Sequence, residues 1–244
     1  MPKIKELLFD CDNTLVLSEE LAFEACAELA NEILEKHKVD ARYTGPQLLV
    51  DFVGQNFRGM MVSLQKKYHF QMGEDEFNNY VEQELQRVIK TLTAKAKPCV
   101  GCNEELEKLA KSKKYGMAVV SSSALSRVKA SIKKVDQDKY FPDDHIFSAA
   151  TSLPKPTSKP DPAIYLHACK VIGVEPKECV AIEDSKSGVG SAHNAGIHII
   201  GYVGSYEGAE MQAEMGKALQ KGGAKVIMYH WSEFEKCLKE IEDS

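Results

Sequence analysis

An apolar run of strand length, Ile4, Leu7, Leu8 and Phe9, stops at Asp10, with Asp12 two positions on and Asn13-Thr14 behind it. A short apolar run closed by polar residues predicts a buried strand. The period then lengthens. Leu21, Ala25, Leu29, Ala30 and Ile33 recur at helical spacing, which predicts a helix from Ser18, as N-cap, to about Lys36. Helices are also predicted over Gln47 to Val53, Phe57 to Tyr68 and Asp75 to Ala94, with polar loops at 43–46 and 71–74 and no strand before Lys97. An all-helical block of roughly 80 residues behind a single strand points to a separate subdomain.

From Pro98 the two periods alternate. Strands are predicted at Gly116 to Val120, Ile146 to Ala150, Cys179 to Ile182, His198 to Gly201 and Lys225 to Met228. Helices are predicted at Glu104 to Lys113, Leu125 to Val135, Ala163 to Ile172, Ser185 to Ala195 and Ser232 to Ile241. Such alternation indicates βαβ units and a parallel sheet. The expected fold is α/β, a doubly wound, Rossmann-like parallel sheet formed by residues 1–16 and 98–244, with an all-helical subdomain, residues 17–97, inserted behind the first strand.

A formal charge of −5 gives no support to a nucleic-acid or anionic-membrane partner, so an anionic substrate would need a local positive pocket. The seven cysteines are odd in number and scattered, the pattern of reduced thiols. Cys99 and Cys102 have C-x-x-C spacing, but no second Cys or His pair accompanies them at zinc spacing. No apolar run approaches membrane-spanning length and no secretory signal is evident, so a cytoplasmic protein is expected.

Four predicted strand ends carry polar groups of complementary kinds: Asp10 with Asp12, Ser121, Lys159 in the loop after the short strand Ile146 to Ala150, and Glu183 with Asp184. Any one of these could be an ordinary turn. Together they fall at one edge of one sheet, where open parallel sheets bind ligands. Carboxylates crowded into one crevice repel unless a cation joins them or their protonation states differ. All-oxygen ligands suit Mg²⁺, which binds alongside substrate phosphates. The Ser121 hydroxyl, helix-start N–H groups and Lys159 could hold the phosphate oxygens. An aspartate can accept a phosphoryl group and split one hard displacement into two easier ones.

Phe9-Asp-Cys-Asp-Asn-Thr-Leu15, Val120-Ser-Ser122, Lys159-Pro-Asp-Pro162 and Ile182-Glu-Asp-Ser185, the last followed by Gly188-Val189 and Ala195-Gly196, resemble the four motifs of the haloacid dehalogenase superfamily. The similarity is to its β-phosphoglucomutase-like members, with a helical cap inserted after the first strand, and it covers essentially the whole chain. That resemblance implies Asp10 as nucleophile and Asp12 as general acid and base. It implies Mg²⁺ held by Asp10, the Asp12 carbonyl and one or both of Glu183 and Asp184, with Asp184 the better choice for direct ligation. Ser121, Ser122 and Lys159 would bind phosphate, helped by Asn13, and the cap would close over bound substrate. Glu20 and Arg58 are the candidate cap contacts, Arg58 in the stretch Gly54-Gln-Asn-Phe-Arg58 that is similar to the group's specificity loop.

Departures narrow the substrate. Ala22 stands where the mutase members carry histidine, which favours a phosphatase over a phosphosugar mutase. Asn13 replaces a common glycine, and Leu17 an acid. The expected activity is Mg²⁺-dependent hydrolysis of a small phosphorylated metabolite, a sugar, sugar-acid or polyol phosphate, by a monomer. The alternatives are a mutase, a dehalogenase and a non-catalytic phospholigand-binding protein.

Overall fold

The computed structural model describes residues 3–52 and 55–243. Val53, at the end of one predicted helix, and Gly54, the first residue of the expected specificity stretch, lie outside the described residues. In chain order the elements are β1 (Glu6–Phe9), β2 (Val16–Leu17), α1 (Glu19–Lys36), α2 (Gly45–Asp51), α3 (Phe57–Tyr68), α4 (Glu74–Lys95), β3 (Lys97–Pro98), α5 (Cys102–Ser112), β4 (Gly116–Ser121) and α6 (Leu125–Lys134). They continue as β5 (Ile146–Ser148), α7 (Ala163–Ile172), β6 (Cys179–Glu183), α8 (Lys186–Asn194), β7 (His198–Tyr202), α9 (Ala209–Gly222), β8 (Val226–Met228) and α10 (Phe234–Glu242). The chain divides into two units, Met1–Leu17 with Lys97–Ser244, and Ser18–Ala96.

The first unit is built on a six-stranded sheet of order β5-β4-β1-β6-β7-β8. Every pairing in it is parallel. The expected doubly wound α/β architecture is therefore the observed one. β1 lies inside, with β4 and β6 on either hand, and the winding reverses there. That reversal opens the crevice in which open α/β sheets bind ligands. Successive β1 side chains alternate in face, as a pleated strand requires. Leu8 joins Ala118, Ala181, Tyr165 and Val189 on one side. Phe9 packs on the other, its ring 6.0 Å from that of Trp231 and 6.2 Å from that of Phe234. Both faces are thus covered, which is why these strands read as apolar runs without alternation.

At the opposite end of β1 sits a buried acid. Glu6 pairs in register with Gly116, and a Cβ on that glycine would come within 1.9 Å of Glu6 Oε2. Its Oε1 is buried without a hydrogen-bond partner, and His145 Nδ1 is 4.0 Å away. Burial pushes the Glu6 carboxyl up to about 7. A pKa raised on folding means stability fully present below the ordinary carboxylate range and lost as pH rises through about 7. Glu6→Gln should therefore raise the melting temperature at pH 8 by about 2–4 °C and leave it unchanged at pH 5. Thermal melts at the two pH values check this; a gain of equal size at both would mean that charge is not the cause.

The second unit consists of α1 to α4. α1 packs against α2 and α4. Arg87 forks onto both Glu32 oxygens at 2.7 Å, joining α4 to α1. Asn31 holds both backbone groups of Tyr43 at 2.8 Å and so fixes the entry to α2. Thr44 and Gln47 then form a capping box. Ser18 precedes α1 as expected, but its hydroxyl makes no capping bond, the backbone there not being in the extended conformation that caps adopt. No helix among the described residues is long and apolar enough to cross a membrane.

Candidate active site

Strand register delivers the acids. Phe9 pairs with Val119 of β4 and with Ile182 of β6, so Asp10 falls level with Val120 and Glu183. Its N–H continues the ladder by donating to Ile182 O at 3.0 Å. Ser121 and Asp184 stand one step further along the neighbouring strands. Beyond Asp10 the chain turns back: Asn13 N–H donates to Val16 O at 2.7 Å, with Asn13 in the left-handed conformation at φ 57°. Asparagine tolerates that region better than most residues, so the turn survives without glycine.

Lys159 is brought in by the loop before α7, through a cis peptide to Pro160. Its backbone N–H donates to Ser122 Oγ at 3.2 Å. Its ammonium donates to Asp10 Oδ1 at 2.6 Å, to Glu183 Oε1 at 2.6 Å and to Val120 O at 2.8 Å, which uses all three hydrogens. Tyr165, on the first turn and a half of α7, donates its hydroxyl to the same Glu183 oxygen at 2.5 Å. Burial alone would lower the Lys159 pKa, but Asp10 and Glu183 override it and hold the lysine charged. Asp10 moves the other way. Its burial outweighs the attraction of Lys159, and with Glu183 and Asp12 adding repulsion its carboxyl is pushed up to about 7.

That imbalance is informative. Asp10, Glu183 and Asp184 each offer an oxygen, all within 4.8 Å of one another, and Lys159 bonds two of them, Asp10 and Glu183. Glu183 Oε2 is buried without a hydrogen-bond partner. It lies against Gly188, where a Cβ would come within 1.7 Å of it, so only glycine leaves it room. All-oxygen donors, surplus negative charge and an orphaned buried carboxylate oxygen fit a hard divalent cation. Glu183 Oε1 is committed to Lys159 and Tyr165, leaving Oε2 as its donor. Asp184 is buried at the strand end, and Thr14 Oγ1 donates to its Oδ1 at 3.4 Å.

Asp12 takes no part in that triplet of oxygens. Ser123 Oγ donates to its Oδ2 at 2.6 Å and Arg127 Nη2 to its Oδ1 at 3.0 Å. Ser121 is fully buried, and its Oγ accepts the Ser123 N–H at 3.0 Å. The first unit therefore gathers Asp10, Asp12, Asn13, Ser121, Ser122, Lys159, Glu183 and Asp184. Glu20 and Arg58 belong to the second unit. Glu20 is exposed on the first turn of α1. Arg58 is tied to α4, donating to Asn78 Oδ1 at 2.6 Å and lying over the Phe77 ring at 4.9 Å. Asn56 caps α3 through Gly59 N–H, and Gln55 accepts from Ser63. Ser123, Arg127 and Tyr165 went unread in the sequence. Their one signal was position: Ser123 directly follows the Ser121-Ser122 strand end, and Arg127 and Tyr165 stand on the first turns of the helices that follow Ser121 and Lys159.

Fold and site define an α/β protein whose polar groups converge on one aspartate at the sheet's winding reversal. A family model described as haloacid dehalogenase-like hydrolase matches residues 7–202, and the chain belongs to that family. It is a hydrolase. A phosphorylated carbohydrates phosphatase of Thermotoga maritima is 30% identical over 239 residues, covering 98% of this chain and 100% of that protein. The 6-phosphogluconate phosphatase of Escherichia coli is 26% identical, with 82% of each chain covered. Among solved structures, a Thermotoga maritima protein provisionally named β-phosphoglucomutase superposes with a TM-score of 0.71 at 29% identity, over 97% of this chain and 99% of that one.

Proposed function

We propose that this chain is a Mg²⁺-dependent phosphatase of a small phosphorylated carbohydrate, a sugar, sugar-acid or polyol phosphate, working through an aspartyl-phosphate. The observation that carries the reading is the placement of Asp10 against Lys159 and within 4.8 Å of further carboxylate oxygens at the mouth of the sheet. The names of the relatives support the substrate class.

Asp10 is the nucleophile, its free oxygen forming a bond to phosphorus while the P–O bond to the sugar oxygen breaks on the far side. Asp12 gives its proton to the departing alkoxide, which leaves as the alcohol. Water then attacks the aspartyl-phosphate; Asp12 takes a proton from it, and Asp10 is released with inorganic phosphate. Lys159 holds Asp10 in place and offsets charge that gathers on the phosphoryl oxygens, while the Ser121 hydroxyl and the Ser122 backbone orient them. Asp10, the Asp12 carbonyl, Asp184 and the orphaned Glu183 oxygen would hold Mg²⁺, which neutralises phosphate charge when bound. Glu20 and Arg58 are proposed to act on the distal part of the substrate. The helical unit, residues 18–96, is proposed as the substrate-selecting domain.

A panel of phosphomonoesters, assayed for phosphate release with Mg²⁺ and ranked by kcat/KM, tests the reading. Carbohydrate phosphates should lead, and a chelator should remove the activity. Release from no ester would favour a phospholigand-binding protein, and isomer formation dependent on a sugar bisphosphate would favour a mutase.

A further inference from the structure

The Asp12 carboxylate is gripped from two sides by groups that belong to no family motif quoted above. Arg127 Nη2 meets Oδ1 and Ser123 Oγ meets Oδ2, with side-chain exposures of 19% for Arg127 and 26% for Asp12. Donors on both oxygens fix rotation about Cβ–Cγ as well as about Cα–Cβ. The grip is itself anchored. Ser148, at the end of β5, donates to the Ser123 carbonyl at 2.7 Å, and Ser121 Oγ accepts the Ser123 N–H. Arg127 rides on the first turn of α6, which starts two residues after Ser123.

We propose that Arg127, together with Ser123, is a positioning residue for proton delivery by Asp12. The inference rests on the phosphatase reading and deepens it. Asp12 sits on a turn outside any strand, joined to the sheet's neighbourhood by one isolated bridge to Val16, so its side chain needs an external reference. A general acid contributes only when it lies within hydrogen-bond reach of the atom it protonates, and small misplacements cost it most of its effect. Its contribution also scales with how poor the leaving group is. A sugar alkoxide requires a proton as the ester bond breaks, whereas 4-nitrophenolate departs without one.

These chemical differences supply the test. kcat/KM reports the path from free enzyme to the first irreversible step, so it isolates leaving-group departure from the later activation of water. Wild type, Arg127→Ala, Arg127→Lys and Ser123→Ala are compared on glucose 6-phosphate and 4-nitrophenyl phosphate with Mg²⁺, with folding checked by thermal melts. Arg127→Ala is expected to lower kcat/KM about 100-fold on the sugar ester and less than about 5-fold on the aryl ester. Arg127→Lys should recover much of the difference, and in an Asp12→Asn background Arg127→Ala should add no selective loss. Should Arg127→Ala not fold, Ser123→Ala must show the same selectivity at smaller amplitude. Equal losses on the two esters, or faster turnover of the sugar ester, overturn the inference and leave the phosphatase reading standing. Any leading member of the carbohydrate phosphate panel can stand in for glucose 6-phosphate, and a wild type that releases phosphate from no ester of that panel overturns both.

Discussion

Asp10→Asn is expected to lower phosphate release by at least about four orders of magnitude while leaving the fold as stable as wild type or more so. The amide oxygen can still accept from Lys159, so the 2.6 Å contact has a substitute, but it cannot attack phosphorus. Stability should move the other way because of the sign of the Asp10 shift. Its carboxyl is raised by burial to about 7. The stability that goes with it is complete below the ordinary carboxylate range and is lost as pH rises through about 7. At pH 7.5 without metal the wild type bears that penalty and the amide does not. Phosphate release with Mg²⁺, and melts at pH 5 and 7.5 without it, check both halves. Near-normal turnover would remove Asp10 as nucleophile, and a large loss of stability would mean that Lys159 depends on its charge.

Lys159→Met should be the most damaging single change. It withdraws the ammonium that three acceptors share and leaves Asp10 and Glu183 facing each other in a buried site. Breaking a buried ion pair from one side costs about 3–5 kcal/mol. We expect a loss of that size in urea unfolding at pH 7.5, with no measurable phosphatase activity. Adding Glu183→Gln to the variant should recover part of the stability and none of the activity, since it removes one stranded charge without restoring a cation. A loss below about 1 kcal/mol in Lys159→Met would show that the carboxylates simply protonate and that the lysine is structurally dispensable.

Much of this site could be read in the chain because it lies at strand ends. An apolar run announces where a strand stops, and the residue after it must sit at the sheet's edge; Asp10, Ser121 and Glu183 were found that way. Long amphipathic elements were equally legible, and α7 falls on its predicted bounds. Shorter or weaker patterns were not. β2 and β3 have two residues each, too few to show a period. α9 was missed although it has 14 residues, because only Gly216 and Leu219 on it are buried and its text is largely polar. The parallel β7–β8 pair did require a crossover there. Arg127 and Tyr165 were missed for another reason: they act from helices, where the direction of a side chain depends on packing that no local pattern encodes.

Lys159 binds Asp10 after β1, the Val120 carbonyl of β4 and Glu183 of β6, three adjacent strands of the sheet. One ammonium thus rivets the mouth of the sheet and charges it at once. Any replacement at this position therefore changes the chemistry and the cohesion of the sheet's mouth together. Backbone amides at these three strand ends should accordingly exchange with solvent as one group.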